Sequence, residues 1–397
     1  MQSADSQTVT ERAATGDPIH FGRPWITEDE RRAVLEVLDS PILTHGPQCA
    51  AFEEEFAAFM GGGVECLTVT SCMAALHLAW LERGIGPGDD VLVAAQTHVA
   101  TAHAVEWMGA RPVFVDCDPH TGNVTAETLE RALTPATKAI ALVHYLGIPC
   151  DMPAIRAFAD AHDLWIVEDC ALSVGATFDG AHTGTVGDAG TFSFYPVKHL
   201  TTGEGGMFVT RHPEVAKKVR KLRAFGIDRS HTERTVPGMY DVPELGLNYR
   251  MSELQAALGR AQLARAREAL DMRAANFAAI RRALEGIPHV RVIDSTDARA
   301  VNSHYCMSVV LEAPLAAHRG ELIAKLNRAG VGTSIYYPQP VPRMSYYRDK
   351  YGYDASRWPN ATELSDASVA LPVGPHVTAA DAERIGTTVA DTIRGLR

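Results

Sequence analysis

Continuously apolar runs alternate with amphipathic stretches along this chain from about residue 64 onward. The runs are VECLTVTS, DDVLVAAQ, RPVFVDCD, KAIALVHY and LWIVEDC, and helix-like stretches such as CMAALHLAWLERG and DMPAIRAFADAHD lie between them. Strands without a polar face are typical of a mostly parallel sheet that helices cover on both sides. Such sheets bind ligands beyond the carboxyl ends of their strands. We therefore look for chemistry in the residues that follow each run.

A second, smaller α/β unit is predicted near the C-terminus. A long helix pattern occupies residues 251–285, with Ser252 as its candidate N-cap. The rest of the chain contains the segments HYCMSVVL, RGELIAKLNRAGV and TSIYYPQP. We expect a flexible N-terminal segment at 1–18, a large domain at 19–265 and a small domain at 266–397.

Composition and net charge limit the classes of partner that this chain is expected to bind. The chain of 397 residues has a formal net charge of -11 without long blocks of one sign, which argues against nucleic acid and anionic membranes as partners. Seven cysteines without a C-x-x-C pair suggest a reduced, cytoplasmic protein that has no disulfide framework and no metal site. The polar N-terminus does not look like a secretory signal, and no apolar run is long enough to span a membrane.

A carboxylate and a lysine are the first candidates for chemistry. LWIVEDC ends in Glu168 and Asp169, although an aspartate after a strand is also typical of a helix cap. Lys198 lies between the apolar FSFYPV and the glycine-containing HLTTGEGG, and an amine in apolar surroundings is a nucleophile toward carbonyls. Pyridoxal phosphate (PLP) uses both groups. Its aldehyde bonds to a lysine, and an aspartate keeps its ring nitrogen protonated.

A phosphate-binding turn would complete such a site. TVTSCMAALHL places Thr70 and Ser71 at a strand-to-helix turn, followed by the N–H groups of Cys72 and Met73. The N-terminus of a helix binds phosphate through its free amides. Simple helix capping explains the same residues, so the hypothesis depends on the order of the three segments, with the turn first, the acid second and the lysine third.

Several long segments carry a family resemblance. They are GIGPGDDVLVAA, GARPVFVDCDP, VEDCALSVGA, GDAGTFSFYPVKHLTTGEGGMFVT, LGLNYRMSELQAALG and YYPQP. From about residue 20 to its C-terminus, the chain resembles the DegT/StrS-type sugar aminotransferases. These are PLP enzymes of the aspartate-aminotransferase fold, also called fold type I. The resemblance implies an α/β fold with a large, mostly parallel sheet and a smaller C-terminal α/β domain.

The resemblance also implies roles for individual residues. Lys198 is then the lysine that forms the Schiff base, and Asp169 is the partner of the pyridinium nitrogen. Ser193 matches a serine that contacts the phosphate, and His98 takes the place of the aromatic residue that stacks on the cofactor ring. Asn248 matches an asparagine that reaches the phosphate from the neighbouring subunit, which implies a homodimer with shared active sites.

The chain departs from the family pattern at several positions. Leu172 replaces a glutamine that contacts the ring oxygen of the cofactor, so that contact is lost or moved. Cys72 and Met73 stand where Gly-Thr is common, which leaves backbone amides and Ser71 to hold the phosphate. The sequence YYP, beginning at Tyr336, replaces the HYP of the small domain and changes a residue of the sugar pocket.

The resemblance favours transamination. A branch of the family that dehydrates sugars carries histidine in place of the lysine, whereas this chain has Lys198 followed by His199. The implied reaction moves an amino group from an amino acid, L-glutamate, to a keto-sugar, foremost a nucleotide-linked 4-keto-6-deoxy hexose. Arg250 is a candidate for holding the donor carboxylate or the nucleotide diphosphate, and equally for a structural ion pair. A cyclitol ketone as acceptor and a PLP-bound regulatory protein without turnover remain as alternatives.

Overall fold

The computed structural model describes residues 17–228, 236 and 238–396. The predicted flexible segment at 1–18 lies almost wholly outside these residues. Within the described ranges, no helix combines the length and the apolar character needed to cross a membrane. All seven cysteines fall in the described ranges, and each is a free, buried thiol.

A seven-stranded sheet forms the centre of the large unit. The strands described before residue 228 are β1 (Glu65–Val69), β2 (Asp90–Ala94), β3 (Arg111–Val115), β4 (Thr137–Val143), β5 (Trp165–Asp169), β6 (Thr177–Phe178), β7 (Ala181–His182), β8 (Ala189–Ser193) and β9 (Gly206–Thr210). The sheet has the order β1-β9-β8-β5-β4-β2-β3. Its neighbouring strands run parallel except at β9, which is antiparallel to both β1 and β8. The predicted mostly parallel sheet is confirmed.

Side chains on the two faces of the sheet enter separate cores. In β1, Cys66 packs into one apolar cluster and Leu67 into the other. In β9, Met207 and Phe208 divide in the same way. Successive residues of a strand point to opposite faces, so both faces of the sheet are covered. This arrangement explains why the strands read as apolar runs rather than as alternating patterns.

The helices surround the sheet and build the second unit. They are α1 (Glu28–Leu38), α2 (Pro47–Phe59), α3 (Cys72–Arg83), α4 (Val99–Trp107), α5 (Ala126–Ala132), α6 (Met152–Ala161), α7 (Pro213–Leu222), α8 (Glu253–Ala264), α9 (Ala266–Leu284), α10 (Arg319–Arg328), α11 (Ser345–Tyr351), α12 (Pro359–Ala367) and α13 (Ala379–Arg394). Ser252 caps α8, because its side chain accepts a hydrogen bond from the Gln255 amide. The predicted N-cap is confirmed.

The long helix pattern at 251–285 is divided at Arg265, which has non-helical backbone angles between α8 and α9. The prediction of one continuous helix is therefore wrong. Helix α8 packs against α1 and α2, whereas α9 packs against α13. The break lets the chain change packing partners at the position where we predicted the domain boundary.

The smaller unit has its own core. The strands described after α9 are β10 (Val290–Val292), β11 (Ala300–Val301), β12 (Met307–Leu311) and β13 (Ser368–Leu371). Strands β10, β12 and β13 form an antiparallel sheet, and β11 joins the β6–β7 hairpin. Ile19 packs in the core of this unit and bridges to Val331, although the sequence division assigns Ile19 to the large domain. The division at 265/266 stays a prediction.

Candidate active site

The carboxyl ends of the central strands bring the predicted residues to one edge of the sheet. Asp169 ends β5 and Ser193 ends β8. Ser71 follows β1 and caps α3, and His98 follows β2 and caps α4. Lys198 lies in the turn that follows β8. These residues are distant in sequence, and the sheet order makes them neighbours at the edge where such folds bind ligands.

The amine of Lys198 is in surroundings that favour its neutral form. The residue is half-buried, and Nζ stands 5.1 Å from the centre of the Tyr305 ring. Burial lowers the pKa of the amine, and the charge of Asp169 acts in the opposite direction without cancelling that effect. A neutral amine is the nucleophilic form of lysine.

Several hydrogen bonds hold the carboxylate of Asp169, which is 4% exposed. Its Oδ2 accepts a hydrogen bond from Thr101 Oγ1 at 2.7 Å. Its Oδ1 accepts from the Ala171 amide at 3.0 Å and from the thiol of Cys72 at 3.8 Å. Residues 170–176 form turns and no helix, so Asp169 does not cap a helix. The alternative explanation of this aspartate is therefore excluded.

The turn between β1 and α3 is both capped and able to bind an anion. Ser71 Oγ accepts from the Ala74 amide at 3.1 Å, which is the simple capping interaction. The first amides of α3, those of Cys72 and Met73, have no acceptor within the helix because of their position in its first turn. Capping and phosphate binding are therefore compatible here, since they use different amides.

Gly206 joins this turn to Ser193. In the sheet, Gly206 is paired with Val69 on one side and with Ser193 on the other. A Cβ at Gly206 would lie 2.5 Å from the Ser71 carbonyl carbon and 2.6 Å from the Cys72 nitrogen. Only glycine allows this approach, which places Ser193 near the free amides of α3. Hydroxyl and backbone N–H donors of this kind are what a phosphate needs.

His98 lies beside the lysine and the aspartate. Its Nδ1 accepts a hydrogen bond from the Ala100 amide at 3.2 Å, and its ring meets that of Tyr337 edge-on, with 6.0 Å between the centres. Although the residue is exposed as a whole, loss of water around the imidazole and the charge of Lys198 lower its pKa. The imidazole is therefore neutral at pH 7, which suits a group that stacks on a ring.

Tyr336 belongs to the same neighbourhood. Its hydroxyl lies 2.7 Å from that of Tyr305, the residue whose ring faces the Lys198 amine, and burial raises its pKa to about 12. Leu172 is different. Its side chain is 1% exposed and packs in the large apolar core, and its carbonyl accepts from Ser303 Oγ at 3.3 Å. The structure thus gives Leu172 a packing role rather than a surface for a substrate.

Asn248 and Arg250 lie next to the phosphate turn on the outside of the subunit. Arg250 bridges to Val69, and its Nε donates to Asn248 Oδ1 at 3.2 Å. The guanidinium also stands 5.2 Å from the centre of the Phe225 ring. Asn248 is exposed, so its side chain is accessible to a second subunit.

Sequence reasoning missed several residues of the site. The hydroxyl of Thr101 and the ring of Tyr305 contact or face the key groups. Cys72, which the sequence indicated only for its backbone amide, also donates its thiol to Asp169. Thr101 lies on the first turn of α4, where the sequence indicated only His98 as a site residue. Tyr305 comes from the small unit, more than 100 residues beyond Lys198 in the sequence. No local sequence pattern predicts these contacts.

Glu168 faces away from the site. Its carboxylate accepts hydrogen bonds from His144 Nε2 at 2.8 Å and from the amides of Gly184, Val186 and Gly187. Burial alone would raise its pKa, but these donors bring the pKa below its usual value. His144, Glu168 and Cys170 lie close enough to hold a metal ion, yet the carboxylate already uses both oxygens. This cluster is accounted for as a structural network.

Comparison with known proteins identifies the family of this chain. The chain matches the DegT/DnrJ/EryC1/StrS aminotransferase family over residues 24–390. The chain belongs to this family. It is 36% identical to the spore coat polysaccharide biosynthesis protein SpsC of Bacillus subtilis (strain 168) over 379 residues. The alignment covers 94% of this chain and 97% of SpsC.

Solved structures of similar aminotransferases support the assignment. The aminotransferase TlmJ from Streptoalloteichus hindustanus superposes with a TM-score of 0.88 at 31% identity, covering 96% of this chain and all of TlmJ. DesI, solved in the presence of its TDP-sugar product, superposes with a TM-score of 0.86 at 31% identity, covering 97% of this chain and 95% of DesI. The predicted family and fold are confirmed.

PLP is the cofactor of this aminotransferase family. The residues at the sheet edge fit it by their chemistry, because they provide an amine with a lowered pKa, a buried carboxylate and a helix N-terminus with free amides. The close approach at Gly206 leaves the backbone of the phosphate turn uncovered by a side chain. The predicted cofactor is confirmed, and this family member is an enzyme.

Proposed function

We propose that this enzyme transfers the amino group of L-glutamate to a nucleotide-linked 4-keto-6-deoxy hexose and so produces an amino sugar. The observation that carries the proposal is that the Lys198 amine, whose pKa is lowered, lies close enough to feel the charge of the Asp169 carboxylate, which Thr101 holds in place. Similarity to DesI, which was solved with a TDP-sugar product, supports a nucleotide-linked acceptor. The name of SpsC supports a role in polysaccharide biosynthesis.

The chain's own residues would divide the chemistry between them. When bound, PLP supplies an electron sink for the charge that develops on the carbon bearing the amine. The Lys198 amine would move a proton at the α-carbon of the donor, because a neutral amine can act first as a base and then as an acid. Asp169 would keep the ring nitrogen protonated. Ser71, Ser193 and the amides of Cys72 and Met73 would hold the phosphate, and His98 would pack against the ring.

We propose a homodimer in which Asn248 reaches the phosphate bound by the partner. Exposed apolar side chains near Asn248 support this arrangement. Leu245 is 91% exposed and Met239 is 65% exposed, and exposed apolar side chains that cluster are typical of protein–protein contacts. Tyr336 would contact the sugar, and Arg250 would steady Asn248 or bind the diphosphate.

Half-reactions test the proposal. The PLP-loaded protein should be yellow, L-glutamate should bleach it, and one member of a panel of keto-sugars should restore the colour. Recovery with a nucleotide 4-keto-6-deoxy hexose supports the proposed acceptor, whereas recovery only with an inosose-type ketone points to the cyclitol alternative. A protein that binds PLP and responds to no amino acid would contradict the proposed function.

The lysine is tested by substitution. Lys198→Ala should lower turnover by on the order of 10³-fold, since both the covalent attachment and the proton transfer depend on this amine. Lys218→Ala is the matched control, because the Lys218 ammonium donates to the Glu82 carbonyl outside the site. Retained turnover in Lys198→Ala would show that the lysine is wrongly assigned.

A further inference from the structure

Two neighbouring clefts meet at a pair of arginines beside the active-site lysine. The first is lined by Lys198 and His199, the second by Tyr305 and His376, and both are lined by Arg23 and Arg273. Arg23 is exposed at the surface. Arg273, on α9, is only 5% exposed. A buried arginine in a cleft next to the reacting lysine needs an explanation.

Arg273 has no carboxylate partner among the described residues. Its Nη1 donates to the carbonyls of Tyr305 at 2.9 Å and His304 at 3.4 Å, and its Nε makes no hydrogen bond within the part of the chain that the structure describes. Burial lowers its pKa to about 10, so the guanidinium remains charged at pH 7. A buried charge without a partner of opposite sign is destabilising, which favours an anionic partner.

The titratable side chains that influence Arg273 do not supply that anion. Burial lowers the pKa values of the three histidines and raises those of the cysteine and the tyrosine, so all five are neutral at pH 7. They are His199, His304, His376, Cys306 and Tyr305. Arg265 lines the first cleft too, but it is already paired with Glu30. The positive charge of Arg273 is therefore left uncompensated within the described chain.

Tyr305 connects this charge to the reacting amine. Its carbonyl accepts from Arg273 Nη1, and its ring faces Lys198 Nζ at 5.1 Å. The guanidinium therefore donates to the backbone, and the amine faces the ring, of a single residue. An amino-acid donor carries its carboxylates within a few bonds of its amine, which makes Arg273 a candidate partner for the carboxylate of a donor that reacts beside Lys198.

We propose that Arg273, assisted by Arg23 at the mouth of the cleft, binds a carboxylate of the amino-acid donor. The inference rests on the proposed transamination and adds a donor-binding residue to it. The planar fork of a guanidinium matches a carboxylate in a bidentate manner. We favour a carboxylate over the nucleotide diphosphate because Arg273 is buried, and a diphosphate is bulkier and lies a whole sugar unit away from the reacting carbon.

Binding of glutarate to the PLP-loaded enzyme tests the inference. Glutarate has two carboxylates and no amine, so isothermal titration calorimetry reports its binding without turnover. Arg273→Lys keeps the charge and loses the fork, and we expect glutarate to bind roughly 10- to 100-fold more weakly, as for lost charge-assisted hydrogen bonds. The concentration of L-glutamate that half-bleaches the enzyme should rise by a similar factor, with the KM for the keto-sugar unchanged.

Two further variants keep the test decisive. Arg23→Gln lies at the surface and should weaken glutarate binding several-fold even if Arg273→Lys does not fold. Arg281→Gln is the matched control, because Arg281 lies on the same helix and is paired with Asp294 away from the cleft. The visible absorbance of bound PLP and the thermal midpoint check that each variant is folded.

The outcomes separate this inference from the proposed function. Glutarate binding that is unchanged in folded Arg273→Lys, or in Arg23→Gln if the former does not fold, overturns the inference. Weaker binding of the sugar nucleotide with normal glutarate binding also overturns it, since the anion would then be the diphosphate. If glutarate binding depends on Arg273 but no amino acid bleaches the wild-type enzyme, the anion site stands and the proposed transamination fails.

Discussion

At the scale of single residues, burial sets the state of the groups that do the chemistry. It lowers the pKa values of Lys198 and His98 and raises that of the Cys72 thiol. All three are therefore held toward their neutral forms around the one fixed carboxylate, Asp169. A neutral amine beside a charged carboxylate is the combination that PLP chemistry uses.

The lowered pKa of Lys198 predicts a pH-dependent stability in the cofactor-free protein. Between the lowered value and the usual 10.5, the unfolded chain binds more protons at this amine than the folded one, so its contribution to the free energy of unfolding rises with pH. Wild type should therefore gain stability relative to Lys198→Met as the pH rises from the lowered pKa toward 10.5. The gain should be about 1.4 kcal/mol per unit of pKa depression.

Unfolding both proteins with guanidinium chloride across this pH range measures the difference between their free energies of unfolding. The other titrating groups are shared by the two proteins, so subtraction removes most of their contributions. A difference that does not change with pH would show that the amine titrates alike in the folded and unfolded chains.

At the scale of elements, the alternation of β5 separates two adjacent carboxylates by role. Asp169 faces the site and Glu168 faces the opposite side, where it joins His144 to the turn at Gly184–Gly187. The pair reads as one acidic unit in the sequence. Because successive side chains of a strand point to opposite faces, one carboxylate lies in the site and the other stabilises the fold.

Matched amide substitutions should reveal this division. Glu168→Gln breaks a buried, hydrogen-bonded charge and should lower the free energy of unfolding by about 3 kcal/mol. Asp169→Asn keeps an acceptor for Thr101 but loses the negative charge, and should lower turnover about 100-fold or more with a smaller loss of stability. Denaturant unfolding and steady-state turnover measure the two effects. Equal stability losses in the two variants would argue against the separation.

At the scale of the whole molecule, the segment that precedes Asn248 in the sequence exposes several large apolar side chains. Leu245, Met239 and Val242 are each at least half exposed, while the cores on both faces of the sheet are closed. The proposed dimer would cover this surface and complete the phosphate site with Asn248.

Leu245→Glu should therefore weaken self-association. A buried charge opposite an apolar partner costs several kcal/mol, so the dissociation constant measured by analytical ultracentrifugation should rise at least about 10-fold. Turnover should fall with the fraction of dimer. Val301→Glu is the control, because Val301 is 56% exposed on β11. An unchanged oligomeric state in Leu245→Glu would exclude this surface as the interface.

Part of this architecture could be predicted from local pattern. The five strand runs and the Ser252 cap were predictable because apolar runs and capping residues act over a few neighbours. The antiparallel course of β9 was not predicted, because strand direction depends on how the chain returns to the sheet. The break at Arg265 also escaped prediction, since Ala-rich sequence on both sides favours helix and only packing against different partners interrupts it.

The sequence by itself determined the kind of site, because the order of the phosphate turn, Asp169 and Lys198, together with the long matching segments, specifies PLP chemistry. The tertiary structure decided which other groups serve that site. In the folded protein, the Thr101 hydroxyl donates to Asp169, the Tyr305 ring faces the Lys198 amine, and Arg273 donates to the Tyr305 carbonyl. Leu172 packs in the core. Local rules act along the chain, whereas these contacts depend on packing between segments that are distant in sequence.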